Sequence, residues 1–162
     1  MKSTFVERHA LWSEEQKKLA GELASRICSA NLRLVRLAWA DPHGASRAKA
    51  VAVPVFLEAL KNGYNINVAT TTLDSAGGRV FASFTRGGGM GLEEMTGSPN
   101  LTIVPDLSTF CVLPWAPRVG WVLCDEYFNS GVPRDMFVEW MARRAPTAKS
   151  SQAGMSPRSR QS

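Results

Sequence analysis

The sequence predicts an α+β fold in which one sheet is covered on one face by one helix. Three observations carry this. Apolar residues recur at helical spacing before residue 31 and alternate with period two after it. The turn "DPHG" (41–44) joins two alternating runs as a hairpin. A helical segment follows that hairpin and gives way to several short strands, an α+β order.

The elements follow in order. Ser13 with Gln16 has capping-box spacing, where each side chain can satisfy a free backbone N–H at a helix start. Leu19, Ala20, Leu23, Ala24, Ile27 and Cys28 then line one face, and Asn31 is a stop, so residues 14–30 read as a helix. In 32–40, Arg33, Val35, Leu37 and Trp39 fall on one side of a strand and Leu34, Arg36 and Ala38 on the other. "SRAKAVAV" (46–53) returns as the second hairpin arm. Pro54 suits a first helical turn, where its missing N–H costs nothing. Phe56, Leu57 and Leu60 give that helix an apolar side, and Gly63 ends it.

"YNINVATTT" (64–72) reads as a strand with Ile66 and Val68 facing one way. Residues 74–99 read as a long excursion with a short strand at "RVFASF". "NLTIVPD" (100–106), "TFCVLPW" (109–115) and "VGWVLCDEY" (119–127) predict three more strands, closed by "GVP" (131–133). Within them, Asp106 and Ser108 shape a turn between breaks at Pro105 and Pro114. The whole order is the β-grasp arrangement. From 134, "RDMFVEWMARRA" allows a short helix with Met136, Phe137, Trp140 and Met141 on one side. The remainder lacks periodic apolar residues and reads as a disordered basic tail.

Composition narrows the function classes. The chain has 162 residues, 44% hydrophobic and 20% charged, enough for one compact domain. No apolar run reaches a bilayer span and no signal-peptide pattern opens the chain, so a cytoplasmic, non-membrane protein is expected. Cys28, Cys111 and Cys124 are odd in number and widely spaced, which argues against a disulfide framework or a zinc site. Three of the five net positive charges lie at Lys149, Arg158 and Arg160, so the body is nearly neutral and nucleic-acid binding is not expected.

Local candidates are few. "TRGGGMGLEEM" (85–95) lacks the Gly-Lys-Ser/Thr ending of a phosphate loop and reads as a flexible insertion. Arg33, Arg36, Arg47 and Lys49 sit on neighbouring hairpin arms, as exposed cross-strand charge or as a contact for an acidic neighbour. Trp115, Trp121 and Tyr127 suit core and interface packing. Asp74, read from its surroundings, starts a turn before Gly77 and Gly78.

From about Leu34 to Pro133 the chain resembles the N-terminal β-grasp domain of the glutamine synthetase family. The pieces that match, in order, are "RLVRLAWADPHGASRAKAV", "VPVFLEALKNG", "LTIVPDLSTFCVLPWAP" and "VGWVLCDEYFNSGVP". The third is the most specific, with its Pro-Asp, Thr and Pro-Trp. The resemblance implies an ATP-dependent ligase that makes γ-glutamyl amide bonds. ATP phosphorylates the glutamate side chain, and ammonia or an amine attacks the acyl phosphate. ATP and Mg²⁺ or Mn²⁺ are therefore implied for an intact member, and none is expected to be bound by this chain alone. No Glu-x-Glu pair stands here to serve as metal ligands, and Glu93 and Glu94 are adjacent.

The family's β-grasp domain leans on a neighbouring subunit of a ring. A loop there delivers an Asp that helps bind the amine and take its proton. Glutamine synthetases proper write that loop Phe-Asp-Gly-Ser-Ser. Here it is "ATTTLDSAGG", so the resemblance implies Asp74 and Ser75 as catalytic candidates. Leu73 replaces the Phe and the Gly between Asp and Ser is missing, which favours larger amines such as polyamines over ammonia. The chain leaves the family pattern at about Arg134, so a truncated, frame-altered or fragmentary member is expected. The organisation expected is a helical segment (1–31), a β-grasp domain (32–133) and a divergent tail (134–162). Partners expected are a homo-oligomer or full-length ligase subunits, with an alternative role as a non-catalytic module docking on such subunits.

Overall fold

The computed structural model describes residues 3–134 apart from Pro42, Thr72 and residues 79–92. Two helices come first, α1 (Phe5–Arg8) and α2 (Glu14–Ser29). Hairpin strands β1 (Leu34–Ala40) and β2 (Ser46–Ala52) follow, then helix α3 (Val53–Asn62). Strands β3 (Tyr64–Asn67), β4 (Asn100–Pro105), β5 (Cys111–Val112) and β6 (Val119–Phe128) complete the described sheet. The strand order is β2-β1-β6-β4-β3, with β5 beside the first part of β6. β6 runs parallel to β1 at the centre, and the remaining pairs are antiparallel. A hairpin, a helix and a last long strand parallel to the first make this the expected α+β, β-grasp-like sheet.

The alternation read in β1 holds. Val35, Leu37 and Trp39 point into the core and Leu34 and Arg36 point away. Phe56 of α3 is fully buried and stacks on Phe110, with ring centroids 6.1 Å apart. Burying one such ring contributes about 1.5–3 kcal/mol. Leu23 and Ile27 of α2 enter the same cluster, so the N-terminal helix shares one core with the sheet. Gly63 ends α3 at φ +65° beneath β4, where a Cβ would meet Thr102 Cγ2 at 2.3 Å and Ile103 O at 3.0 Å. Only glycine satisfies both the backbone conformation and the contact.

Four expectations change. α1 was not anticipated, although Thr4 and Glu7 form a full capping box, with Glu7 N–H donating to Thr4 Oγ1 and Thr4 N–H to Glu7 Oε2. At Ser13 only half a box forms. Ser13 Oγ accepts from Gln16 N–H, but the Gln16 side chain goes elsewhere. The strand expected over 64–72 stops at Asn67, because the Asn67 side chain accepts from Ala69 N–H and turns Val68–Thr71 into a 3₁₀ helix. The strand expected over 109–115 shrinks to Cys111–Val112, since Leu107–Thr109 is a 3₁₀ turn and Leu113 to Val119 a tight connection. The strand at "RVFASF", most of the glycine-rich run and the tail helix lie outside the described residues.

Candidate functional site

The C-terminal end of β1 leads into a cluster of polar contacts. Asp41 ends the strand and is 6% exposed. Its Oδ1 accepts from the backbone N–H of His43 and of Ala45, each at 2.9 Å. Its Oδ2 accepts from Arg47 Nε at 2.9 Å and forms an ion pair with Arg47 Nη2 at 2.9 Å. Burial by itself would push this carboxyl up. The bonds from Ala45, Arg47 and His43 outweigh it and hold the group below the ordinary carboxylate range. The turn read as "DPHG" is thus organised around one carboxylate.

Asp74, the candidate named by the resemblance, lies in a second turn nearby. Asp74 Oδ1 accepts from Ala76 N–H at 2.9 Å and Gly78 N–H at 2.7 Å. Its backbone N–H donates to Gly78 O and its carbonyl accepts from Gly77 N–H. The turn reading is therefore observed. Oδ2 has no hydrogen-bond partner among the described residues, and a Cβ on Gly78 would stand 2.8 Å from it. The glycine makes room for that oxygen. Ser75 is adjacent and exposed. His43 Nε2 lies 3.0 Å from Leu73 O and joins the two turns.

Further along the sheet Glu126 forms a nearly buried ion pair with Arg134. Trp39 Nε1 and Glu126 Oε1 are buried without a hydrogen-bond partner among the described residues. No spacing signal pointed to the Glu126–Arg134 pair.

The stretch "IVPDLSTFCVLPWAP" has a structural part. Asp106 Oδ1 accepts from Ser108 N–H and Oγ, which caps the turn expected there. Gln16 of α2 reaches across, donating from Nε2 to Asp106 Oδ1 at 2.7 Å and accepting from Leu107 N–H at 3.1 Å. Burial raises the Asp106 carboxyl, but the bonds from Ser108 and Gln16 bring it below its ordinary value. The Gln16 contact was missed because capping-box spacing was a sufficient local reason for a glutamine there.

The basic hairpin residues do not make one patch. Arg47 pairs with buried Asp41, Lys49 stands opposite Leu37, and Arg36 stands opposite Ala50 on the other face. Cross-strand partners share a face, so alternation puts Arg36 on the opposite face from Arg47 and Lys49. That outer face is otherwise apolar. It carries Leu34 at 40% and Leu123 at 42% exposure beside exposed Ala48, Ala50 and Ala52. Trp115, in the β5–β6 connection, is 79% exposed. A groove of 730 Å³ opens elsewhere, between α1, α2 and α3, but Glu7 and Lys17 on its wall already serve Thr4 and Glu14.

Among the described residues no three His, Cys, Asp or Glu side chains come together as a metal-holding group. They do not fit the implied divalent ions, so no metal-dependent step is assigned to them. No described helix is long and apolar enough to cross a membrane.

No protein-family model matches the chain. Over 135 residues it is 37% identical to γ-glutamylanilide synthase of Acinetobacter sp, covering 82% of this chain and 27% of that protein. Over 137 residues it is 31% identical to glutamate–isopropylamine ligase of Pseudomonas sp, covering 82% and 28%. Human lengsin is 28% identical over 118 residues, covering 70% and 21%. The chain thus spans about a quarter of the length of these relatives. Among solved structures, a GmaS/ADP complex superposes with a TM-score of 0.52 at 23% identity, covering 75% of this chain and 25% of that one. That likeness bears on the fold.

Proposed function

This chain is an N-terminal region of the glutamine synthetase family, and from that premise we propose that it forms the amine-side wall of a ligase joining glutamate to an amine. ATP and Mg²⁺ or Mn²⁺ serve the phosphoryl step on the part of the ligase that lies outside this region. Here the contributing side chain is Asp74, with Ser75 at its shoulder.

The observation that carries this reading is the divided use of the Asp74 carboxylate. Oδ1 is bound to the turn through Ala76 and Gly78, while Oδ2, which lies against Gly78, has no hydrogen-bond partner among the described residues. An oxygen fixed in position and left free can accept from an ammonium N–H. After the amine attacks the γ-glutamyl carbonyl, it can take the proton that the new amide sheds. Two of the three named relatives carry an organic amine in their names, aniline as its anilide and isopropylamine, in keeping with a substrate larger than ammonia. The apolar outer face around Leu34 and Leu123 suits a neighbouring subunit in an oligomer, in a cytoplasmic enzyme. The matched proteins offer nothing for the alternative of a non-catalytic docking module.

The test is a graft of residues 1–134 in place of the matching region of the Acinetobacter synthase. Asp74→Asn keeps an acceptor for both turn amides and removes the charge at Oδ2. Amine-dependent ADP release should fall by about 10²–10⁴-fold, the usual worth of a positioned base, with ATP binding unchanged. Unchanged turnover would remove Asp74 from the site. The 162-residue chain alone should release no ADP above background with glutamate, amine, ATP and Mg²⁺.

A further inference from the structure

We propose that His43 is the positioning residue for Asp74. The imidazole at the tip of the β1–β2 hairpin holds the turn that carries the carboxylate. This rests on the reading of Asp74 given above, and its own evidence is geometric.

His43 is itself firmly placed. Its backbone N–H and that of Ala45 converge on Asp41 Oδ1, while Arg47 clamps Oδ2. Asp41 N–H also donates to Ala45 O, and Gly44 N–H to Asp41 O. The tip is therefore a closed unit built on a buried carboxylate at the end of the β1–β2 hairpin. From it the imidazole spans 30 positions of sequence to reach Leu73 O at 3.0 Å. A carbonyl only accepts, so Nε2 must carry the proton in this contact.

Leu73 O belongs to the peptide that leads into Asp74. Beyond it, residues 74–78 are closed by their own bonds. Asp74 N–H donates to Gly78 O, Gly77 N–H to Asp74 O, and Ala76 and Gly78 N–H to Oδ1. Such a turn moves as one body. Its internal bonds fix the shape of the carboxylate's surroundings but not where the turn sits relative to the sheet. Leu73 already makes a β-bridge through its backbone, and the His43 contact adds a side-chain constraint from the tip of the hairpin. A misplacement of about 1 Å at a reacting group can cost about 10²-fold in rate, so one such tether matters. A histidine suits the task because its ring is stiff and its donor stands well out from the backbone.

The experiment uses the full 162-residue chain and nuclear magnetic resonance. In the wild type, His43 should show the Nε2–H tautomer in its imidazole ¹⁵N shifts. His43→Leu keeps bulk but removes the donor. Amide exchange at Ala76 and Gly78 should then rise about tenfold, the loss expected for one hydrogen bond, with Ala45 and core amides unchanged. His43→Gln can donate from its amide to the same carbonyl and should restore slow exchange. A merely space-filling role would give the opposite order, with Leu neutral and Gln no better. Unchanged exchange in His43→Leu, no rescue by Gln, or an Nδ1–H tautomer in the wild type would overturn the proposal. Two results separate it from the Asp74 reading. If Asp74→Asn lowers turnover in the graft while His43→Leu leaves exchange alone, the tether alone is wrong. If exchange responds as expected but Asp74→Asn leaves turnover intact, the Asp74 reading is wrong.

Discussion

Replacing Gln16 with alanine cuts the side-chain bridge between α2 and the Pro-Asp turn. Two bonds are lost. Gln16 Nε2 donates to Asp106 Oδ1 at 2.7 Å, a bond to a charged acceptor worth about 1.5–3 kcal/mol. Gln16 Oε1 accepts from Leu107 N–H at 3.1 Å, a neutral bond worth about 1 kcal/mol. Leu107 is 5% exposed, so water has little access to its freed N–H. Asp106 keeps Ser108 N–H and Oγ and is not stranded, which holds the total to about 2–4 kcal/mol. Urea unfolding followed by tryptophan fluorescence reads this directly. With a slope of about 2 kcal/mol per molar, the midpoint should drop by about 1–2 M. Gln16→Glu is the sharper control. It keeps an acceptor for Leu107 but sets a second carboxyl against Asp106, so it should be destabilising at pH 7 and recover as acid neutralises the pair. A midpoint in Gln16→Ala within about 0.5 kcal/mol of wild type would refute the reasoning, since that is the range of an inert surface change.

Other outcomes follow from single sites. Gly63→Ala should destabilise by about 2–4 kcal/mol, because the new Cβ falls 2.3 Å from Thr102 Cγ2 at a positive φ; a neutral change in thermal midpoint would show that β4 yields there. A maleimide should label exposed Cys111 in the native chain but spare Cys124, whose thiol is pushed up by burial and by Asp125; peptide mapping that finds native label on Cys124 would contradict this. Asp41 and Asp106 have folded values below the unfolded ones, so their stabilisation is complete above the unfolded value, about pH 4, and is lost as pH falls through the folded values. Asp41→Asn should therefore flatten the acid limb of a stability–pH curve, and an acid limb equal to wild type would exclude Asp41 as a source of it.

Most elements could be read from consecutive residues. Ser13 starting α2, the alternation of Val35, Leu37 and Trp39, Pro54 opening α3 and Gly63 closing it are each decided by a few neighbours along the chain. Periodicity and capping act at a range of about four residues, so sequence carries them well. Where a side chain had two local options, the outcome was not legible. Asn67 stopped its strand by accepting from the Ala69 N–H two residues on, and Thr4 with Glu7 went unread beside the more familiar signal at Ser13.

The candidate site divides in the same way. By itself the sequence determined that Asp74 begins a turn before paired glycines, and a family resemblance made that residue the candidate. It also determined that "DPHG" turns the hairpin. Only the tertiary structure decided that these two turns meet, that His43 spans them, and that Oδ1 of Asp74 is committed to its own turn. It alone decided that Gln16 belongs to the Pro-Asp turn 90 positions away, and that Glu126 pairs with Arg134. The physical reason is the range of the forces involved. A turn or cap is settled by bonds that close within a few residues. A bond between distant turns exists only after strand order has set which ends of the sheet lie together, and that order is a property of the whole core.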